Sequence, residues 1–440
     1  MNIKIIVLLF LFSSSFGVSS QNKLSSIDAI NFALKSNRNI NNAKLLTSID
    51  SIKNTWASAG VFPSFDFTIG NNNVIQDNTS NPFTFTPGVI LSQSISPSIN
   101  SVWSFGPANV YSKRNLEKTQ QKTTQNELLI IESTILDALL LYYQAISQKK
   151  ILQCFNDLKT FSNETMGFYL IKEKNATSSS LDLLQFKNQF FSDSMNVLMQ
   201  EVNYKNSIRN LCLLMNDTSS ISDDELPYLI DNFPTEYSLP NIKDAINRID
   251  KNNEIIKQNI AIDIQSNALK LNESFWFPTV NFQMGVSPSR SWFRDLDNPN
   301  FKMDTKVLNY YANFNIRYNL FNNWNTQRSI KIAKIQKEIL KLDADQLKSN
   351  IKTSIKNYYS LFEMRSSLLD VARKNLEFAN KSFLLAQKKY SQGVLSSMDL
   401  LIFKNNLQNA QLKYLESEYN KLEIYLQIKR IIGDLLIDYN

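Results

Sequence analysis

The chain carries one pattern twice. Ser180-Leu-Asp-Leu-Leu-Gln-Phe-Lys-Asn188 recurs as Ser397-Met-Asp-Leu-Leu-Ile-Phe-Lys-Asn405, with seven of nine positions identical at an offset of 217 (397 − 180). Upstream, Ala29-Ile-Asn31, Asn37 and Phe62-Pro63 match Ala245-Ile-Asn247, Asn253 and Phe277-Pro278, at offsets of 216 and then 215. Two matched blocks in one order and at nearly one spacing read as two copies of one structural unit. The expected division is a signal peptide at 1–20, a first repeat at 21–216, a linker at 217–240, a second repeat at 241–434 and a tail at 435–440. Each repeat reads as helix, strand pair and long helical hairpin.

The signal reading rests on Lys4, the apolar run Ile5–Phe12 and the small residues Val18-Ser-Ser20 before Gln21. The apolar run is too short to span a bilayer, and a buried N-terminal helix is the competing reading. No stretch of eighteen apolar residues follows it, so the mature chain is either soluble or crosses a membrane only as β-strands. The absence of histidine removes histidine-based triads, histidine-ligated zinc and histidine proton shuttles. Two cysteines cannot make a four-cysteine metal site, and no Gly-x-Ser-x-Gly nucleophile motif is present. No enzyme, cofactor or metal site is expected. The net charge is +7, but charges of both signs are interspersed, with no basic patch interleaved with aromatics. Nucleic-acid binding is therefore not expected.

The strands follow the Phe-Pro pairs, where proline ends a helix and extends the residue before it. Val280, Phe282, Met284 and Val286 alternate with Asn281, Gln283 and Gly285, and Phe65–Ile69 alternates likewise. In the partner strand, Tyr310, Ala312, Phe314, Ile316 and Tyr318 share one face, and Asn313, Asn315 and Arg317 the other. Period two describes a half-buried soluble sheet and a membrane barrel equally well. The fourth strand lies around Val89–Ser96. The Asn-, Ser-, Asp- and Pro-rich segments at about 71–87 and 287–306 read as long polar loops.

First helices are expected at about 26–59, opening on Ser25 and Asp28, and at about 242–274. The long helices carry a narrower signal. Ile355, Tyr358, Phe362, Arg365, Leu369, Ala372, Leu376, Ala379, Phe383, Ala386 and Tyr390 alternate steps of three and four, which is a coiled-coil seam. Leu400, Phe403, Leu407, Ala410 and Tyr414 continue it on the return helix. Copy one echoes it at Leu183, Phe186, Phe190 and Val197, with Asp193 interrupting. Proline is absent between Pro107 and Pro227 and after Pro299. Descending helices from about Val110 to Lys172 and from about Ser329 to Tyr390 would each extend roughly 90 Å and need partners along their length. Turns fall at 175–179 and 392–396. The acidic run Asp223-Asp224-Glu225 reads as solvated linker.

This layout resembles the TolC-type outer-membrane efflux family, over about Leu24 to Asp434. The resemblance rests on Tyr390-Ser-Gln-Gly393 followed by Asp399, on Tyr318-Asn-Leu-Phe-Asn-Asn-Trp324, and on the Phe-Pro pairs, in order within a duplicated chain. It implies a mainly α fold with a small transmembrane β part. Each chain would give duplicated antiparallel coiled-coil hairpins and four β-strands. Three chains would form a 12-stranded barrel in the outer membrane and a periplasmic helical tunnel. It further implies a passive, non-enzymatic exit duct of a tripartite efflux or type I secretion system, gated at the periplasmic tip. The partners would be two further copies, a periplasmic adaptor, an inner-membrane pump and outer-membrane lipid. By position, Asp182 and Asp399 match an acidic ring at the entrance, and Tyr390, Gly393, Val394 and Leu395 the adaptor-docking tip. Residue by residue there are departures. Glu173-Lys-Asn-Ala176 stands where the family has aromatic-x-x-Gly, and Gln185, Ile402 and Leu395 stand where some members carry charged gate residues. The tip lock is therefore expected to be weaker or more apolar than theirs.

Blander roles compete at each site. An acid after a turn favours the helix dipole, and Gly393 suits a left-handed C-cap. The aromatic seam is packing rather than substrate contact. A periplasmic coiled-coil scaffold or adhesin without a pore is the alternative to the channel. The two cysteines lie at unequal distances from the first turn, roughly 18 Å apart along a hairpin axis and beyond disulfide reach. Both thiols should be free. Intact mass under reducing and non-reducing conditions checks this, a two-hydrogen difference being the contrary result.

Overall fold

The computed structural model describes residues 23–80, 88–175, 180–217 and 226–438. The signal segment, most of the first hairpin turn and the run 223–225 lie outside the described residues. In chain order the elements are β1 (Lys23–Leu24), α1 (Ser26–Ser36), α2 (Arg38–Lys53), β2 (Ser64–Asp77), β3 (Val89–Phe105), α3 (Pro107–Lys174), α4 (Ser180–Leu214), β4 (Tyr228–Leu229), α5 (Ile242–Asn247), a 3-10 turn (Ile249–Lys251), α6 (Asn253–Ser274), β5 (Thr279–Asp295), β6 (Lys302–Arg317), α7 (Asn325–Ser391), α8 (Ser397–Ile431) and α9 (Leu435–Asp438).

The duplication is visible in the backbone. The return helices α4 and α8 have 35 residues each, and their ends keep the offset seen in the sequence. Both finish on a left-handed residue, Asn216 at φ 54° and Gly433 at φ 78°. The same cap closes each: Asp217 N–H reaches Cys212 O and Asp434 N–H reaches Lys429 O, both at 3.0 Å. These bonds satisfy carbonyls that a helix end leaves unpaired.

Each expected first helix is broken. In copy one the break is at Asn37 (φ −63°, ψ 128°), and in copy two at Asn252 (φ −63°, ψ 130°), so the mate of Asn37 is Asn252 rather than Asn253. A short polar side chain can replace helical hydrogen bonds at such a corner. Asn37 Nδ2 donates to Leu214 O at 3.1 Å, and Asn252 Oδ1 accepts from Glu254 N–H at 2.9 Å.

The chain divides into two compact units, and each draws on both repeats. One comprises 39–130 and 243–354 and holds an antiparallel sheet in the order β2-β3-β5-β6. The two repeat hairpins thus join through β3 and β5. The segments read as long polar loops contain strand: β2 runs on to Asp77, β5 runs on to Asp295 and β6 begins at Lys302. Their apolar alternation stops while the backbone ladder continues, with Arg290 opposite Lys306 and Ser291 opposite Thr305. Polarity marks a change of solvent there, not the end of pairing. Strand β3 likewise passes through Pro97. Pro97 and Pro288 both lack an N–H, and they fall between the pairs Ile95↔Arg290 and Ile99↔Val286, where the β3–β5 ladder has a gap. Helix α3 starts at Pro107, a residue whose fixed φ suits the first helical position.

Register separates the two faces of this sheet. Phe65, Phe67, Ile69, Ile99, Trp103, Phe282, Met284, Tyr310, Phe314 and Ile316 share one. The other is polar and internally bonded: Thr68 Oγ1 lies 2.7 Å from Ser98 Oγ, and Ser104 Oγ donates to Asn281 at 2.7 Å. Gly285 lies there, opposite Tyr311, whose hydroxyl crosses it to reach Asn100.

The other unit comprises the chain up to Arg38, 131–242 and 355 onward. Its core holds Ile135, Leu139, Tyr142, Ile208, Leu211, Leu229, Leu422 and Leu435, all nearly inaccessible. Tyr142 Oη donates to Leu24 O at 2.9 Å and accepts from Asp231 N–H at 3.3 Å. Residues 226–240 therefore pack against this core: β4 pairs with β1, and the Tyr237 ring meets Phe362 and Tyr425. The coiled-coil seam holds here. Ile355, Leu369, Ala372 and Ala386 are buried, as are Leu400, Leu407 and Ala410 on the return helix. Helix α3 contains one window long and apolar enough by length and composition to cross a membrane, though not an unbroken apolar run, and 56% of it is buried, as in a core helix. Both cysteines are buried and neither is in a disulfide. Burial pushes the Cys154 thiol up to about 11, with Asp157 adding to it.

A Cβ on Gly285 would stand 2.4 Å from Ile99 O and 2.6 Å from the Tyr311 hydroxyl. Gly285→Ala should destabilise the sheet by roughly 1–3 kcal/mol, as overpacking does. Thermal unfolding followed by circular dichroism measures it. Gly393→Ala, where no atom lies within 4 Å of an added Cβ, is the control for strain without a clash.

Candidate functional site at the hairpin turns

In the second hairpin, chemistry and turn geometry are tied together. Helix α7 ends at Ser391, and Gly393 follows at φ +75°. Gly393 N–H bonds Tyr390 O and Val394 N–H bonds Lys389 O, both at 3.0 Å. This double cap needs a left-handed residue at position 393, which glycine supplies without strain. Val394 then projects into solvent and Leu395 is half-buried. Ser396 caps α8: its Oγ accepts from Asp399 N–H at 3.1 Å and donates to Asp399 Oδ2 at 2.7 Å.

The two repeat-mate aspartates differ in their bonds. Asp399 is exposed and serves its own helix cap. Asp182, third residue of α4, is half-buried and accepts from Ser397 Oγ at 3.0 Å. It ties the return helix of the first hairpin to the first residue of the return helix of the second. Tyr390 makes a second tie: its hydroxyl and that of Tyr169 are hydrogen-bonded. Burial holds the Tyr390 phenol protonated well beyond its ordinary range, with Tyr169 and the Asp182 charge contributing. Tyr169 stacks on Phe186 at 4.4 Å, within a cluster that includes Leu183 and Leu401.

Further along the same helices lies a group that sequence reasoning missed. Asp193, read as an interruption of the seam, is 2% exposed, and its carboxylate meets the ammonium of Lys404, which is 1% exposed. Ser162 Oγ accepts from Lys404 Nζ at 2.5 Å and donates to Asp193 Oδ2. Burial lowers the Lys404 pKa, against the opposing pull of Asp193. The signal was present: an acid inside an apolar seam requires a buried cation, and Lys404 flanks the seam one step from Phe403. Its repeat mates are Lys187 and Ala410, so no reciprocal pair can form.

What this region offers is electrostatics and mechanical coupling. Among the described residues no cluster of metal-ligating side chains is present. Asp182 and Asp399 supply carboxylates near the turns; Gly393, Val394 and Leu395 supply a shaped, partly apolar projection.

Residues 248–434, most of the second repeat, match the family model described as outer membrane efflux protein. No curated protein matches. Three solved structures share the fold: the outer membrane channel CmeC of Campylobacter jejuni (TM-score 0.76, 14% identity, 93% of this chain and 86% of that one), the MtrE outer membrane channel of Neisseria gonorrhoeae in its open state (0.71, 15%, 93% and 89%), and the outer membrane protein VceC of Vibrio cholerae (0.69, 12%, 93% and 96%). At such identities the likeness establishes the fold.

Replacing Lys404 by Met strands a buried carboxylate and should cost about 3–5 kcal/mol. The double variant Asp193→Leu/Lys404→Met should recover most of that loss. Urea unfolding of the two variants beside the parent distinguishes this from a pair that adds nothing, in which case the single variant would unfold like the parent.

Proposed function

We propose that this chain, whose residues 248–434 match the family model described as outer membrane efflux protein, is the outer-membrane exit duct of a tripartite export machine. One observation carries the reading. The apolar face of the sheet is uncovered, with Phe65 69%, Tyr310 73% and Phe314 65% exposed. In water such a band would aggregate; in hydrocarbon it is the stable surface. The sheet also has two unpaired edges, β2 and β6, of 14 and 16 residues. Backbone groups cannot remain unpaired in a bilayer, so the edges must be closed. Three copies, β6 of each against β2 of the next, make a closed barrel of twelve strands. Its inner lining would be the polar face of Asn, Ser, Thr and Gln, suited to a water-filled pore.

Transport through it is passive, since export energy must come from a pump in the inner membrane. Long helical hairpins cross the periplasm, and their turns form the entrance. Gly393, Val394 and Leu395 offer the docking surface for a periplasmic adaptor. Asp182 and Asp399, from three chains, set six carboxylates about one axis, which concentrate cations. The cap made by Asp399 does not compete with this role, because the capping residue stays exposed. The ties Asp182–Ser397 and Tyr169–Tyr390 join the two hairpins of one chain, and opening requires that they break or move together.

The test is reconstitution. The protein should fractionate with outer membranes, resist extraction by salt, migrate as a trimer and conduct in planar bilayers. Recovery as a soluble monomer would instead favour a scaffold. In the conducting trimer, Asp182→Ala/Asp399→Ala should weaken block by trivalent cations roughly tenfold or more, the low end of electrostatic focusing. Unchanged block would remove both residues from the entrance.

A further inference from the structure

Resting on the reading that the sheet lies in the outer membrane, we propose that the β5–β6 hairpin carries a binding surface for anionic lipid phosphates of the outward leaflet, formed by Arg290, Arg294, Lys302 and Lys306. Register assembles it. Arg290 pairs with Lys306, Trp292 with Asp304, and Arg294 with Lys302, so alternate residues of two strands place their cations on one face. That face is the apolar one: the preceding pairs are Val280↔Ile316, Phe282↔Phe314, Met284↔Ala312, Val286↔Tyr310 and Pro288↔Leu308. No sequence window shows this surface, because its halves come from strands that run in opposite directions.

Position along the strand gives it meaning. From Val280 to Pro288 the apolar band rises about 3.4 Å per residue at a tilt of about 40°, or roughly 21 Å across the membrane, close to the ~25 Å band of such barrels. Arg290 is the next residue on that face beyond Pro288. The cations therefore begin where hydrocarbon ends. They lie at the hairpin end opposite to α6 and α7, the end that the proposed topology turns outward.

Charge makes the surface selective. Asp304 is the only acid on this face of the hairpin, and Arg290 already engages it, Nε to Oδ1 at 3.1 Å and Nη2 to Oδ2 at 2.7 Å. Among the described residues no carboxylate lies within ion-pair distance of Arg294, Lys302 or Lys306, and all three are exposed. On neighbouring β3, the residues beside this patch are Leu91, Gln93 and Ile95, so the positive charge is confined to one hairpin. The Arg290 guanidinium sits 5.0 Å from the Trp292 ring centroid, which holds it against an aromatic at the polar boundary. Cations above a lipid-facing band meet headgroup phosphates, and each such contact near an anionic surface strengthens binding about fivefold.

The experiment uses the purified full-length trimer, loaded with phosphatidylglycerol or phosphatidylcholine, with retained lipid counted by native mass spectrometry. The parent should prefer phosphatidylglycerol, and rising salt should erode the preference. Arg294→Gln/Lys302→Gln/Lys306→Gln should lower phosphatidylglycerol affinity on the order of 100-fold, whereas Lys302→Arg/Lys306→Arg should keep it. Inorganic phosphate at matched ionic strength should not displace the lipid. Equal retention by the triple variant, no preference in the parent, or displacement by free phosphate would each overturn the proposal. Bilayer conductance, recorded on the same preparations, separates the two readings. A conducting parent without lipid preference sinks this proposal alone, and a parent that neither inserts nor conducts sinks the membrane reading with it.

Discussion

An open sheet with one apolar face cannot stand alone, and that constraint organises the molecule. Strands β2 and β6 present rows of unpaired N–H and C=O groups, and among the described residues nothing covers the face between them. Neither problem has a solution within one copy. On the proposed reading, hydrocarbon answers the second, and a closed ring of strands answers the first once water is gone.

Duplication supplies the rest economically. Two hairpins with return helices of one length, closed by one kind of cap at Asn216 and Gly433, give near-equivalent elements from a single pattern. The departures from equivalence lie in the polar contacts. Asp399 caps its own helix while its mate Asp182 reaches across to Ser397. The pair Asp193–Lys404 has no mirror image. A buried ion pair is weak as a stabiliser but strict about partners, because removing either member strands a charge. On the proposed reading this fixes how the two hairpins of one chain register against each other, close to the end that must open.

Much of this was legible in the residues, and the boundary is instructive. The duplication, the seam from Ile355 to Tyr390, the cap at Gly393 and the face alternation in Val280–Val286 are local or periodic, and locality is what a linear pattern records. The corner at Asn252, one residue from where the sequence match placed it, was not legible, because a polar side chain standing in for a backbone bond leaves no periodic trace. The outer parts of β5 and β6 were read as loops because hydrophobicity reports the surrounding medium, whereas strands are defined by pairing.

The sequence by itself determined the kinds of the main elements, their order, the approximate lengths of the long helices and the residues at the hairpin turn, since these follow from backbone preference and from the spacing of apolar side chains. Tertiary structure decided which polar groups meet. Lys404 finds Asp193 across 211 residues, Ser397 finds Asp182 across 215, and Arg290 is set beside Lys306 by strand register. Charge interactions depend on distance and desolvation, and neither exists until the chain has folded back on itself.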